Sequence, residues 1–252
     1  MDLQLKGKTA LVTGGSVGIG TGIARVLAEE GCKVAITARR EDLLNEVADD
    51  IAAAGYDRPT VIVQDIAADD AADNLAAAVG DCFSGNLDIM VNNAGAAVPA
   101  PVGCDEQVWI DVMNLNWWAV RRVSDKFIPG MIERQWGRII NITGTMEPFN
   151  INAATCAKAA VQAWAKGVSR EHSKDGLTIN CIIPGRIHSE QNVRNWPTEK
   201  DELEFAAQHI PQGIFGDPED IGNLVAFVSS PKARCISGSV MYVDGGMKRF
   251  AH

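Results

Sequence analysis

Thr13-Gly14-Gly15-Ser16-Val17-Gly18-Ile19-Gly20 could hold a ligand through its backbone alone. Glycines at 14, 18 and 20 permit a tight turn and let N–H groups approach a pyrophosphate. A helix starting there adds free donors and a favourable dipole. Glycine-rich turns are common; this one gains weight from lying between an apolar run, Thr9–Thr13, and a helical pattern, Gly18–Glu30. A second group is Thr37-Ala38-Arg39-Arg40. A site that reads a ribose 2′-hydroxyl carries an acid near this position. Here an alanine is followed by two arginines, whose planar forks suit a 2′-phosphate. The plainer reading of Arg39 and Arg40 is a solvated helix entry leading into Glu41 and Asp42. The six cysteines form no CxxC pair and have no histidine cluster beside them. No metal site is expected, and the thiols read as reduced, as in a cytoplasmic protein.

The elements around these groups follow an alternating rhythm. Strands are predicted at Thr9–Thr13, Val34–Thr37, Thr60–Val63, Leu87–Val91, Arg138–Ile142, Leu177–Ile183 and Ser239–Val243. Helices are predicted over Gly18–Glu30, Asp42–Ala54, residues 69–83, Asp105–Arg134, Asn152–His172 and 218–229, with an interruption at Pro129-Gly130. Strict alternation implies parallel strands with helical crossovers, and uniformly apolar strands imply a sheet covered on both faces. The fold class is α/β: a Rossmann-type, doubly wound parallel sheet of about seven strands. At 252 residues the chain reads as a single dinucleotide-binding domain, 1–252. Its polar segment 186–216 is too long for a simple connection and reads as a substrate loop, or else as a solvated one. Hydrophobic residues at 46% and charged residues at 22% exclude disorder. A formal charge of -9 disfavours nucleic acid and anionic membranes as partners. Neither a signal pattern nor a long apolar run is present, so a cytoplasmic location is expected.

More motifs follow in order. Asp65 comes after the third strand, Asn92-Asn93-Ala94-Gly95 after the fourth, and Asn114 lies in Met113-Asn114-Leu115 on the long helix. Lys158, Pro184-Gly185-Arg186-Ile187-His188-Ser189 and a closing Asp244-Gly245-Gly246 complete the set. With the TGxxxGxG turn, these resemble the short-chain dehydrogenase/reductase family over nearly the whole chain. The resemblance implies nucleotide contacts from Gly14, Ser16, Gly18, Ile19 and Gly20. It implies others from Arg39, Arg40, Asp65, Asn93, Ala94, Gly95, Lys158, Pro184, Gly185, Ile187 and Ser189. The arginines favour NADP(H) over NAD(H), although Val17 stands where many NADP-using relatives carry a basic residue. The family also implies a homo-oligomer, dimer or tetramer, joined through its two long helices.

Family chemistry uses a tyrosine four residues before the lysine, a serine on the fifth strand and the helix asparagine. Here Lys158 is preceded at that spacing by Ala154, and the serine position falls on Gly144. Asn114 and Lys158 remain as catalytic candidates. Thr145, with Thr143, offers a hydroxyl; Glu147 offers a carboxyl, and His188 an imidazole. The leading reading is an NADP(H)-dependent oxidoreductase interconverting a small carbonyl and an alcohol with a non-tyrosine proton donor. Two alternatives stay open: an NADP(H)-binding protein without turnover, and a lyase using Lys158 or Glu147 as base. Trp109, Trp117, Trp118 and Trp164 read as core or subunit packing. Trp196, Phe205 and Phe215 read as pocket lining, and Lys248-Arg249 as an exposed tail.

Overall fold

A computed structural model describes residues 1–148, 150–189 and 195–250. Its strands are β1 (Thr9–Thr13), β2 (Lys33–Ala38), β3 (Thr60–Val63), β4 (Ile89–Asn92), β5 (Gly137–Ile142), β6 (Leu177–Pro184) and β7 (Val240–Val243). They form one sheet of 7 strands in the order β3-β2-β1-β4-β5-β6-β7. Every pairing is parallel. The helices are α1 (Ile19–Glu29), α2 (Glu41–Ala53), α3 (Ala71–Phe83), α4 (Glu106–Met113), α5 (Ala119–Glu133), α6 (Ala153–His172), α7 (Glu199–His209) and α8 (Pro218–Ser229).

Alternating strand residues feed two cores. Ala10, Val12, Val34, Ile36, Ile89, Val91 and Ile140 pack with Ile23, Leu27, Leu44, Ile221 and Val225 of α1, α2 and α8. Leu11, Ala35, Met90 and Ile139 point the other way, onto Leu75, Val79, Val123, Phe127 and Ala165 of α3, α5 and α6. Both faces of the central strands are apolar because both are covered, as in a doubly wound sheet. Chain order reverses between β1 and β4. The crevice at their C-terminal ends is where α/β sheets bind ligands.

The long helix breaks at a different place from the one expected. Pro129 sits inside α5 without ending it. The interruption is a π-helical turn, Asn114–Trp118, between α4 and α5. Such turns insert one residue and re-aim the side chains around it. The segment after β6 is also more ordered than its polarity suggests. It contains α7, started by a reciprocal capping box between Thr198 and Asp201. Its two ends are tied: Gly216 N–H donates to Arg186 O at 2.8 Å and His188 N–H to Gly216 O at 2.9 Å. Positions 190–194 of the expected substrate loop lie outside the described residues.

Candidate active site

The glycine turn is built to bring backbone close to backbone. Gly18 adopts φ +60, and a side chain there would press on Cβ of Ser189 at 3.1 Å. A Cβ on Gly20 would run into the carbonyl oxygen of Gly14. Gly18 also stands at the start of α1 without a capping side chain; Thr21 N–H donates to Gly18 O at 3.0 Å, and the N–H groups of Ile19 and Gly20 precede any intrahelical acceptor. Across the crevice, Asn93 Nδ2 donates to Thr13 O at 3.0 Å and Gly14 O at 3.1 Å. Thr13 Oγ1 accepts from the N–H groups of Asn93 and Ala94. The loop after β4 is thereby locked to the glycine turn. Ser16 is buried, Arg39 and Arg40 are exposed at the end of β2, and Asp65 caps its own turn by accepting from Ala67 N–H.

Lys158 lies on α6 facing the ends of β4 and β5. Its Nζ is 3.5 Å from Thr143 O. No ion pair to it occurs among the described residues. Burial lowers its ammonium from 10.5 to about 8. Gln162, one turn further along α6, donates to Thr143 Oγ1 and Gly144 O, each at 3.1 Å. This clamp on the loop beneath Lys158 escaped the sequence reading, although the spacing of four residues to Lys158 was visible. Gly144 leaves that space to the lysine: a Cβ there would stand 3.4 Å from Lys158 Cδ. Ala154 is buried among Ala100, Val112 and Ala153. The residue four before the lysine therefore faces an apolar cluster and offers no proton.

The asparagine beside the lysine is Asn116. A Cβ built on Gly95 would meet Asn116 Oδ1 at 2.6 Å and Lys158 Cε at 3.7 Å. Asn116 is 2% exposed; its Nδ2 donates to Val112 O and Ala96 O, and its Oδ1 accepts from Ala96 N–H. Asn114, the residue expected here, turns away. Its Nδ2 donates to Ala67 O at 2.8 Å, and its Oδ1 accepts from Arg122. Residues two apart on a helix do not share a face, so an offset of two moves the side chain to the far side.

Thr145, Glu147 and His188 are not gathered around Lys158. Thr145 is exposed and accepts from Glu147 N–H at 3.0 Å. The Glu147 carboxylate accepts from the N–H groups of Arg249 and Phe250. The C-terminal stretch thus folds back onto the loop after β5 and is not a free tail. His188 lies between two carboxylates, Nδ1 at 2.9 Å from Asp217 and Nε2 at 3.3 Å from Glu202. The hydrogen bond to Asp217 raises its pKa, with Glu202 adding to it against partial burial. Trp117 packs edge-on to Trp164, their ring centres 6.0 Å apart. Trp109, Ile110 and Trp118 line a groove of about 880 Å³ on the outer side of α4, with Asn114 and Cys156. That groove holds neither Lys158 nor the glycine turn.

Known proteins share this overall fold. A family profile described as enoyl-(acyl carrier protein) reductase matches residues 14–248. The chain belongs to the short-chain dehydrogenase/reductase family. It is 35% identical over 249 residues to the 3-oxoacyl-(acyl-carrier-protein) reductase of Vibrio cholerae, covering 97% of this chain and 99% of that one. The L-sorbose reductase of Gluconobacter frateurii, solved with NADPH and L-sorbose, is 30% identical with a TM-score of 0.92 over 99% of this chain and 100% of its own. Pseudomonas aeruginosa RhlG, solved as an NADP active-site complex, is 30% identical with a TM-score of 0.88, covering 97% and 98%. In this short-chain oxidoreductase Ala154 stands four residues before Lys158, and Gly144 follows Thr143. Among the described residues, no helix is long and apolar enough to cross a membrane.

Proposed function

We propose that this chain is an NADP(H)-dependent short-chain reductase or dehydrogenase for a small carbonyl/alcohol pair, with Lys158 as its proton donor. The observation that carries it is the half-buried Lys158 ammonium, which has no counter-ion among the described residues and is lowered to about 8. An ordinary lysine is a poor acid near neutrality, whereas one near 8 can give and regain a proton there. Lys158 Nζ–H would donate to the carbonyl oxygen as it becomes a hydroxyl. Asn116, fixed by three hydrogen bonds, is the positioning residue beside it; Gln162 holds the loop of Thr143 and Gly144 in place.

A nicotinamide nucleotide supplies the hydride when bound. The uncapped start of α1, the close-packed turn of Gly14, Gly18 and Gly20, and Arg39 without an ion pair among the described residues all fit such a group. Arg39 would take a 2′-phosphate; Asp65, Asn93 to Gly95, Pro184, Gly185, Ile187 and Ser189 would line the rest. The NADPH and NADP complexes of the two solved relatives support the same choice. The test is equilibrium binding of NADPH and NADH to wild type and to Arg39→Asp. Wild type is expected to prefer NADPH and the variant to lose that preference; binding of neither nucleotide by wild type overturns the proposal. Ala154 in its apolar cluster favours a second reading, nucleotide binding without turnover. Lys158-dependent NADPH oxidation with a ketone would end that reading.

A further inference from the structure

We infer that Arg186 anchors a carboxylate carried by the substrate, so that the preferred substrates are oxo- or hydroxy-acids. The inference rests on the carbonyl/alcohol reading above and adds the substrate class.

Arg186 directly follows Pro184-Gly185 at the C-terminal end of β6, the edge that also carries Ser189 against Gly18. Its backbone is pinned: its carbonyl accepts from Gly216 N–H at 2.8 Å, and Gly185 N–H donates to Val243 O at 2.8 Å. Ile187 points into the core, so the Arg186 side chain leaves on the opposite side, toward α7. There its Cζ stands 5.0 Å from the ring centre of Trp196 and 5.4 Å from that of Phe205. Aromatic faces hold a guanidinium and leave its edge for a ligand.

That edge has no taker among the described residues. Nε is buried without a hydrogen-bond partner, and no carboxylate pairs with the side chain. The acids of the surrounding elements are turned to other donors. Glu202 and Asp217 hold His188. Asp220 accepts from Asp217 N–H, and Asp244 from the N–H groups of Gly246 and Lys248. Arg138, also buried, gives Nη1 to the carbonyls of Gly137 and Gly176. Burial lowers the Arg186 guanidinium below its usual value, with no acid opposing the shift. A partly buried cation with no carboxylate partner among the described residues, in a chain of net charge -9, suits an incoming anion.

One planar cation suits one carboxylate. The only lysine or arginine of α7 is Lys200, which is paired with Glu204 at 3.6 Å, so α7 offers no second free charge to a phosphate dianion. Because Nε is closed off from solvent, carboxylate entry shifts the Trp196 ring above it.

The experiment titrates pyruvate, acetoacetate and levulinate, each against its methyl ester, into the protein with and without NADPH. Calorimetry gives affinity, and tryptophan emission with a Trp196→Phe control reports the ring. At least one acid is expected to bind about tenfold or more tightly than its ester. Arg186→Gln should abolish that difference, and Arg186→Lys should recover part of it, with NADPH affinity unchanged in both. The inference is overturned if no acid outbinds its ester, or if the preference survives Arg186→Gln. Loss of NADPH binding by wild type would instead strike the nucleotide reading, since the titration without nucleotide still reports on Arg186.

Discussion

Replacing Lys158 by methionine is expected to stabilise the nucleotide-free chain at about pH 7. Methionine keeps most of the aliphatic stem and removes only the charge. In the folded chain burial lowers the ammonium from 10.5 to about 8. The unfolded chain therefore binds more protons between those two values, and stability rises with pH across that window. At about pH 7 the full shift corresponds to about 3 kcal/mol against folding, falling to about 1 kcal/mol at about pH 10. Because Lys158 keeps some contact with solvent, about 1–3 kcal/mol is the range expected at about pH 7. Urea denaturation of both proteins across this range isolates the effect, since every other titrating group is common to them. A variant that is less stable at about pH 7 would refute the reasoning. So would a stability difference that stays flat with pH. Either result would mean that the ammonium is compensated in the fold, and the argument for Lys158 as a proton donor near neutrality would go with it.

Asn116→Ala should cost about 1–3 kcal/mol in urea denaturation, because it strands the buried Val112 O and releases the loop at Ala96. Asn114→Ala should cost about 1 kcal/mol and leave turnover unchanged, since its bonds run to Ala67 and Arg122. Gly20→Ala drives a Cβ into Gly14 O, so calorimetric NADPH affinity should fall by at least about tenfold. The imidazolium of His188, held by Asp217 and Glu202, has a folded pKa above its unfolded value. Its contribution is full below about pH 6.5 and is lost as pH rises through the folded value. Hydrogen exchange in α7 should therefore be slower, after correction for intrinsic rates, at about pH 6 than at about pH 8. The difference should vanish in His188→Gln.

Much of the scaffold was legible because its signals are local. Apolar runs such as Thr9–Thr13 and Leu177–Ile183 admit only strands, and Gly18 and Gly20 mark a turn at the sheet's end. The register of the long helix was harder. Asn114 and Asn116 both suit a polar position, but only Asn116 shares the stripe of Val112, Ala119, Val120 and Val123, all buried. Counting that stripe would have selected it. The break at Pro129 was misplaced because proline is the usual cause of interruption, whereas a π turn has no comparable sequence mark. The return of Arg249 and Phe250 to Glu147 is a contact across 102 and 103 positions, with no periodicity to announce it.

The departures around Lys158 have a common physical logic. A tyrosine four residues before the lysine would place a phenol where Ala154 now packs against Ala100 and Val112. In this chain that space is filled by apolar atoms. Under the proposed chemistry a dry site suits Lys158, because burial lowers its ammonium from 10.5 to about 8. Gly144 offers no hydroxyl, and a Cβ there would lie within contact distance of the lysine stem. Restoring bulk at either place should then work against the present chemistry. A Gly144→Ser side chain would begin 3.4 Å from Lys158 Cδ, an ordinary contact distance, and bring a hydroxyl beside the stem. The ammonium would rise back toward the ordinary lysine range, and turnover near neutrality should fall, even though the substitution recovers the family's own residue.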